Sequence, residues 1–354
     1  MSNPMKPFLL RVVGNKLFWP ILALSLLLLF NFVFKREFFD LEIKHDPEKG
    51  GFLYGTLVDI VRRSSPQMLL ALGMTLVIAT YGIDLSVGSV VAITGTLAAY
   101  LVAKAHYPLA AGAVTHYPFA IAVLITLLVA TAAGVWNGAL VAYVGVQPIV
   151  ATLILIVAGR GIARLPSEGQ MVWFDTVRPY VFMTNGYWLY LPFCAWIVAF
   201  VFLLTWLLTR RTAIGMMIEA VGNNETASNF CGINARRVKL FAYGYCGFTA
   251  GIAGMLAASS SMQADPAKMG QWMELDAIFA VVVGGTSLAG GRFSLVGSII
   301  GAILLMSLTQ TMYYLGVNPW VAPVPKAIVI VAVCLLQSEK FRRWVMGFFR
   351  RHAR

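Results

Sequence analysis

Apolar runs of membrane length, separated by short polar links, fill most of this chain. Leu17–Phe34 holds 18 residues without a charge, and Phe119–Val144 is almost wholly apolar. Tyr187–Leu208, Leu240–Ser260 and Leu295–Leu315 are also long enough for a helix to cross a hydrocarbon core about 30 Å thick. Ile149–Ile162 and Pro325–Leu336 are shorter spans of the same character. Two further runs, Gln67–Tyr81 and Ala277–Gly284, each stop at a polar, glycine-rich knot, Gly82–Gly88 and Gly284–Gly291. The first of these rises only about 22 Å at helical pitch, so it is expected to break near Asp84 before crossing. The pattern predicts an all-α polytopic membrane protein of about ten spans, interrupted near Gly82–Gly88 and Gly284–Gly291.

The links carry the orientation. Lys35–Ser65 mixes acids and bases evenly, which suits an external loop, and its end, Phe52–Ser65, reads as a short amphipathic surface helix. Lys104–Pro118 is a short link with two histidines, and Ala163–Gly186 is a polar, aromatic external loop. Trp188, Tyr190 and Trp196 mark an interface. Ser261–Leu275 reads as another external loop, which sets Glu274 and Asp276 near a membrane surface. Thr209–Lys239 holds Arg210, Arg211, Arg236, Arg237 and Lys239 against Glu219 and Glu225. That basic excess, and the basic residues of 1–16 and 338–354, place this segment and both termini on the cytoplasmic side. Asn31–Arg36 offers no small-residue cleavage site, so the first span stays attached. The whole chain, 1–354, reads as one transmembrane domain. Its membrane core is 17–337, its cytoplasmic segment 209–239 and its basic tail 338–354.

Composition narrows the class. Only 12% of residues are charged and 59% are hydrophobic, with mean hydropathy +0.77; a soluble domain carries about 25% charge. The net charge of +12 gathers in a few loops and tails. That is positive-inside patterning rather than a nucleic-acid footprint, so no nucleic-acid partner is expected and the lipid bilayer is. Cys194, Cys231, Cys246 and Cys334 form no CxxC, and the histidines show no metal spacing, so no metal site is expected. No GxxxxGK[ST] occurs, so the chain has no P-loop of its own. No clustered His/Asp/Glu site suggests an enzyme, and no catalytic residue is nominated.

Chemistry concentrates at the knots. A carboxylate at membrane depth is expensive and marks function by default. Asp84 can also cap the third span, the apolar run that follows the knot to Ala103, by accepting hydrogen bonds from free backbone N–H groups. Gly134–Gly138 sets small residues four apart with Asn137 among them, a helix-packing pattern in the first place. The two knots echo one another: Gly82, Leu85 and Gly88 align with Gly285, Leu288 and Gly291. Paired interruptions in corresponding halves point to a transport path. Polar candidates to line it are Asp84, Ser86, Asn137, Gln147, Thr152 and Ser287.

Four collinear motifs carry a family resemblance. They are GMTLVIATYGIDLSVGSVVAITG at Gly73–Gly95, NGALVAYVGVQPIVATLILIVAGRGIA at Asn137–Ala163, TAIGMMIEAVGNNETASNFCGINARRVK at Thr212–Lys239 and ELDAIFAVVVGGTSLAGGRFSLVGSIIGA at Glu274–Ala302. The chain resembles the permease subunits of sugar ABC importers, the ribose, galactose, arabinose and xylose group, and within them the galactofuranose type. The acidic stretch Glu37–Lys49 and the turn Arg164–Gln170 depart from the usual pattern.

The resemblance implies a multi-pass protein of the bacterial inner membrane that carries a monosaccharide, galactofuranose or a related sugar, from periplasm to cytoplasm by alternating access. It implies a separate ABC ATPase subunit holding ATP and Mg, a second permease (identical or distinct) and a periplasmic sugar-binding protein. No cofactor is implied in this chain. The EAxG-like stretch in 209–239 resembles the segment that seats on the ATPase, with Glu219, Ala220, Gly222, Asn224 and Gly232 as its residues. The competing class is an ion-coupled secondary transporter, for which Asp84 is the one credible ionisable group.

Overall fold

The computed structural model describes residues 17–34, 36–46, 50–103, 117–174, 177–318, 320–321 and 323–337. Both expected cytoplasmic ends (1–16 and 338–354) and most of the link 104–118 lie outside them. The described chain is mostly helical. α1 is Phe18–Phe34, α2 Thr56–Ala79, α3 Val87–Val102 and α4 Phe119–Ala139, continued by a π-helical turn at Leu140–Val144. α5 is Pro148–Arg164, α6 Arg178–Asn185, α7 Phe193–Arg210, α8 Ala213–Asn223 and α9 Glu225–Phe230. α10 is Ala235–Ser261, α11 Met273–Val283, α12 Leu295–Tyr314 and α13 Pro323–Gln337. The helices from Phe119–Val144, Phe193–Arg210, Ala235–Ser261 and Leu295–Tyr314 are long and apolar enough to cross a membrane, and α1, α3 and α13 are shorter apolar helices.

Three antiparallel strand pairs decorate the helices. β1 (Glu42–Asp46) pairs with β2 (Gly50–Tyr54), β3 (Val172–Trp173) with β6 (Gln263–Ala264), and β4 (Tyr187–Trp188) with β5 (Leu191–Pro192). Trp196 Nε1 donates to Trp188 O at 3.0 Å, tying the small β4–β5 hairpin to the first turn of α7. The polar stretch before it is not all loop: α6 packs into the core, with Tyr180 buried and Asn185 Nδ2 donating to Ser259 O at 2.7 Å.

α2 and α10 form the centre, and both are buried along most of their length. The reason is residue size. Gly73 on α2 lies against Cys246 and Thr249 of α10, and Gly134 on α4 lies against Gly247, so backbones approach without side chains between them.

α2 corrects two expectations. The stretch Phe52–Ser65 is not a separate surface helix, and Gln67–Tyr81 is not a short span. Thr56–Ala79 is one helix of 24 residues, about 36 Å long. It runs through Pro66, whose missing N–H costs one bond of the ladder. Just before it, Ser64 and Ser65 hydroxyls donate to Val61 O at 3.2 and 2.7 Å. Burial on all sides from Ser64 to Ala79 outweighs the local break. The interruption therefore falls after α2 is complete.

Candidate functional site

Both glycine knots begin with the same helix stop. At the end of α2, Gly82 N donates to Val77 O and Tyr81 N to Ile78 O; at the end of α11, Thr286 N donates to Val281 O and Gly285 N to Val282 O. These are paired i−5 and i−3 closures around a left-handed residue. That residue is Tyr81 (φ 63°) in one knot and Gly285 (φ 91°) in the other. A side-chain turn follows each. Asp84 Oδ1 accepts from Ser86 N at 2.9 Å, and Ser287 Oγ accepts from Ala289 N at 3.2 Å. The turns match in the register read from the sequence, Gly82 with Gly285, while the helix stops are offset by one residue.

Beyond that the knots diverge. Asp84 is 1% exposed. Its Oδ1 also accepts from Ser86 Oγ at 2.6 Å, while Asn137 Nδ2 on α4 donates to Ser86 Oγ at 2.7 Å and reaches Asp84 Oδ1 at 3.4 Å. Thr152 Oγ1 on α5 accepts from Leu85 N at 3.3 Å, and Tyr243 on α10 donates to Ile83 O at 3.4 Å. Asp84, Ser86, Asn137 and Thr152 thus form one buried network joining the 82–88 turn to α4 and α5. Asp84 satisfies a free N–H ahead of α3, but the residue at the N-cap is Ser86, whose side chain makes no cap bond. Ser287 and Gln147 stand apart. Ser287 is half-buried in its own turn, and Gln147 is exposed at the start of α5, where its carbonyl accepts from Ala151 N.

The 209–239 segment folds as the short helices α8 and α9. Thr212 caps α8 by accepting from Ile214 N, Asn224 caps α9 by accepting from Ala227 N, and Asn234 caps α10 by accepting from Arg237 N. Gly232 takes φ 84° in the turn between α9 and α10. On α8, Gly215, Ile218, Val221 and Gly222 are buried on one face, while Met216 and Phe230 of α9 are 69% and 88% exposed. Ala220 O accepts from Asn224 N, which ends α8. Glu219 pairs with Arg210 of α7 at 3.6 Å.

Gly222 is where the segment meets the knots. A Cβ there would overlap Ala79 O and Gly291 N, which are themselves bonded at 3.0 Å. A Cβ on Gly290 would press on Gly222 O and Tyr81. The end of α2, the loop after α11 and the end of α8 therefore touch backbone to backbone. No short motif in the sequence signals this contact; its one trace is the glycine inside EAVG.

Glu274 and Asp276 do not lie near the end of the helical bundle. Gly95 packs against Gly254, seven residues inside the end of α10, and also against Met269; Gly88, seven residues earlier on α3, packs against Gly270 and Glu274. Seven helical residues rise about 10 Å, which puts the start of α11 about half-way along α10. Asp276 pairs there with Lys326 of α13 at 3.0 Å, and Arg160 of α5 donates to Met269 O at 2.5 Å. Ionisable groups at depth are therefore more numerous than the single Asp84 expected from the sequence.

A bundle of apolar helices with two glycine-broken turns seated on a short amphipathic segment is the architecture of a polytopic membrane protein. The comparisons give its family. Residues 56–334 match the family described as the permease component of the branched-chain amino acid transport system, and the chain belongs to that family. It is 42% identical to the galactofuranose transporter permease YtfT of Escherichia coli K12, over 93% of each chain. It is 39% identical to the fructose import permease FruF of Bifidobacterium longum, over 98% of this chain and 94% of that one. The ribose import permease RbsC of Escherichia coli K12 is 36% identical over 82% and 87%. No solved structure matches.

Proposed function

We propose that this chain is the membrane-spanning permease of an ATP-driven sugar importer of the bacterial inner membrane. It works with a separate ABC ATPase, a second permease (identical or distinct) and a periplasmic sugar-binding protein. The observation that carries the reading is similarity along nearly the whole length to permeases named for fructose and galactofuranose. A monosaccharide, galactofuranose or a related sugar, is the cargo. The chain crosses the bilayer about ten times with both ends cytoplasmic.

Coupling runs through α8 and α9. Glu219, Ala220, Gly222, Asn224 and Gly232 shape the segment, and exposed Met216 and Phe230 give the ATPase an apolar foothold. Because Gly222 abuts Ala79 and Gly291 without intervening side chains, a displacement of α8 is passed to α2 and to the loop after α11. α11 lies rigidly on α12 through Gly284–Gly297 and Ala280–Gly301 contacts, so it moves as one body.

Asp84 is buried and internally bonded, so it is not a carboxylate that exchanges with solution, and the whole-length similarity to sugar import permeases favours the importer over an ion-coupled cycle. The test is uptake of radiolabelled furanose and pyranose sugars by cells expressing the complete system. Uptake that stops on ATP depletion and survives collapse of the proton gradient is expected. The reverse pattern would sink the importer reading.

A further inference from the structure

We infer that the segment 262–276 and Lys326 line a water-filled sugar path at half depth, with Trp272 as the surface on which the sugar ring stacks. This inference rests on the importer reading for the identity of its ligand. The existence of an aqueous surface rests on geometry alone.

After α10 ends at Ser261, the chain turns back along the bundle instead of leaving it. Residues 265–272 form irregular turns that reach Gly88 and Glu274, about half-way down α10. Irregular backbone at that depth is tolerated only inside protein or beside a water-filled cavity, because lipid cannot satisfy its N–H and C=O groups. Part of the segment is inside protein: Met269 lies against Gly95, and its carbonyl takes the Arg160 guanidinium. The other part is open. Gln271 is exposed, Trp272 is 64% exposed and Leu275 is 37% exposed. Trp272 is also held at φ 65°, a left-handed conformation that is costly for a bulky residue.

The surrounding chemistry suits a neutral polyol. Asp276 and Lys326 make a half-exposed pair, with side chains 30% and 20% accessible. Gln67 Nε2 of α2 donates to Met273 O, fixing the first turn of α11. Arg160 bonds Met269 O, Glu274 Oε2 is buried without a hydrogen-bond partner among the described residues, and Lys268 pairs with Asp265, so the three acids and three bases of the segment and its neighbours sum to zero formal charge. Such a surface offers donors and acceptors to hydroxyl groups without trapping an ion. An indole beside them accepts the apolar C–H face of a sugar ring, as in sites that combine aromatic walls with a few polar groups. Facing lipid, the same groups would cost several kcal/mol; facing a second permease across a cleft, they form half of a path. Through α11 this surface is joined to Gly291 and so to Gly222 of the coupling segment.

The experiment uses the full chain with its partners in cells. The four native cysteines are replaced by alanine, and single cysteines are introduced as Trp272→Cys, Gln271→Cys and Val157→Cys. Val157, on the apolar outer face of α5, is 77% exposed. The probe is a membrane-impermeant sulfonated maleimide. Positions 271 and 272 are expected to label at least tenfold faster than 157; equal rates would overturn the aqueous path. In the native-cysteine background, Trp272→Ala is expected to cut sugar uptake tenfold or more and Trp272→Phe to restore most of it. Wild-type uptake by Trp272→Ala at equal membrane abundance would overturn the stacking role. Fast labelling at 271 and 272 in a wild-type system that imports no sugar would leave the water path standing and remove the sugar from it.

Discussion

Two polar regions at membrane depth handle their hydrogen bonds in opposite ways. Around Asp84, most donors and acceptors turn inward: Ser86 and Asn137 bond one another and Asp84, Thr152 takes the Leu85 N–H, and Asn137 Oδ1 is left buried without a partner among the described residues. Around Trp272, the groups turn outward and leave an aromatic ring and an ion pair accessible. The first region has the more conspicuous sequence, a lone carboxylate between apolar runs. The second has the surface a passing solute can touch. A polar residue in an apolar chain is therefore not by itself a path residue. Whether its bonds are satisfied from within decides the question.

The sharpest way to break this contrast is at the backbone junction that links both regions to the coupling segment. Gly222→Leu forces α8 off Ala79 and Gly291; the expected loss is about 3 kcal/mol or more, with sugar uptake reduced at least tenfold. Thermal unfolding in detergent and uptake in cells are the measurements, and a variant matching wild type in both would mean α8 does not seat there. Next, Asp84→Ala leaves the Ser86 N–H and the Ser86 hydroxyl without their acceptor, while Asn137 Nδ2 keeps its bond to Ser86 Oγ. The expected destabilisation is about 3 kcal/mol, from groups that cost about 1–3 kcal/mol each when buried unpaired. Trp272→Ala, by contrast, should shift the unfolding midpoint little while removing transport. If Asp84→Ala were stable and lost only transport, the two regions would have to exchange roles.

Glu219→Lys tests the coupling segment itself. Its partner Arg210 is half exposed, so the lost ion pair costs below about 1 kcal/mol, and the protein should insert normally. Reduced co-purification of the ATPase is the expected result; unchanged co-purification and uptake would remove Glu219 from the coupling assignment. The smallest effect belongs to Tyr81→Gly. It relieves a left-handed tyrosine that is 67% exposed and so loses little packing. A stabilisation of no more than about 1 kcal/mol is expected, because glycine also gains freedom in the unfolded chain. A lower midpoint would show that the tyrosine ring carries a contact outweighing its strain.

The limits of the sequence are visible in particular residues. Residue type alone nominates all six path candidates, and the fold brings Asp84, Ser86, Asn137 and Thr152 around the 82–88 turn. Gln147 and Ser287 lie apart from them. The sequence sets Glu274 and Asp276 near a surface, because a polar link after a long span ordinarily exits the membrane. Here it folds back, and only contacts with Gly88 and Gly95, distant in the chain, reveal it.

What the sequence determined by itself is the membrane class, the helical segments, the basic segment and the two knots. All are set by local hydropathy, charge and turn chemistry, which act over a few residues. What the tertiary structure decided is depth and closure. It joined Phe52–Ser65 and Gln67–Tyr81 through Pro66 into one helix, carried the start of α11 to half depth, and seated Gly222 on Ala79 and Gly291. Those outcomes depend on which backbones can approach and which polar groups find distant partners, and neither is written in the neighbourhood of any one residue.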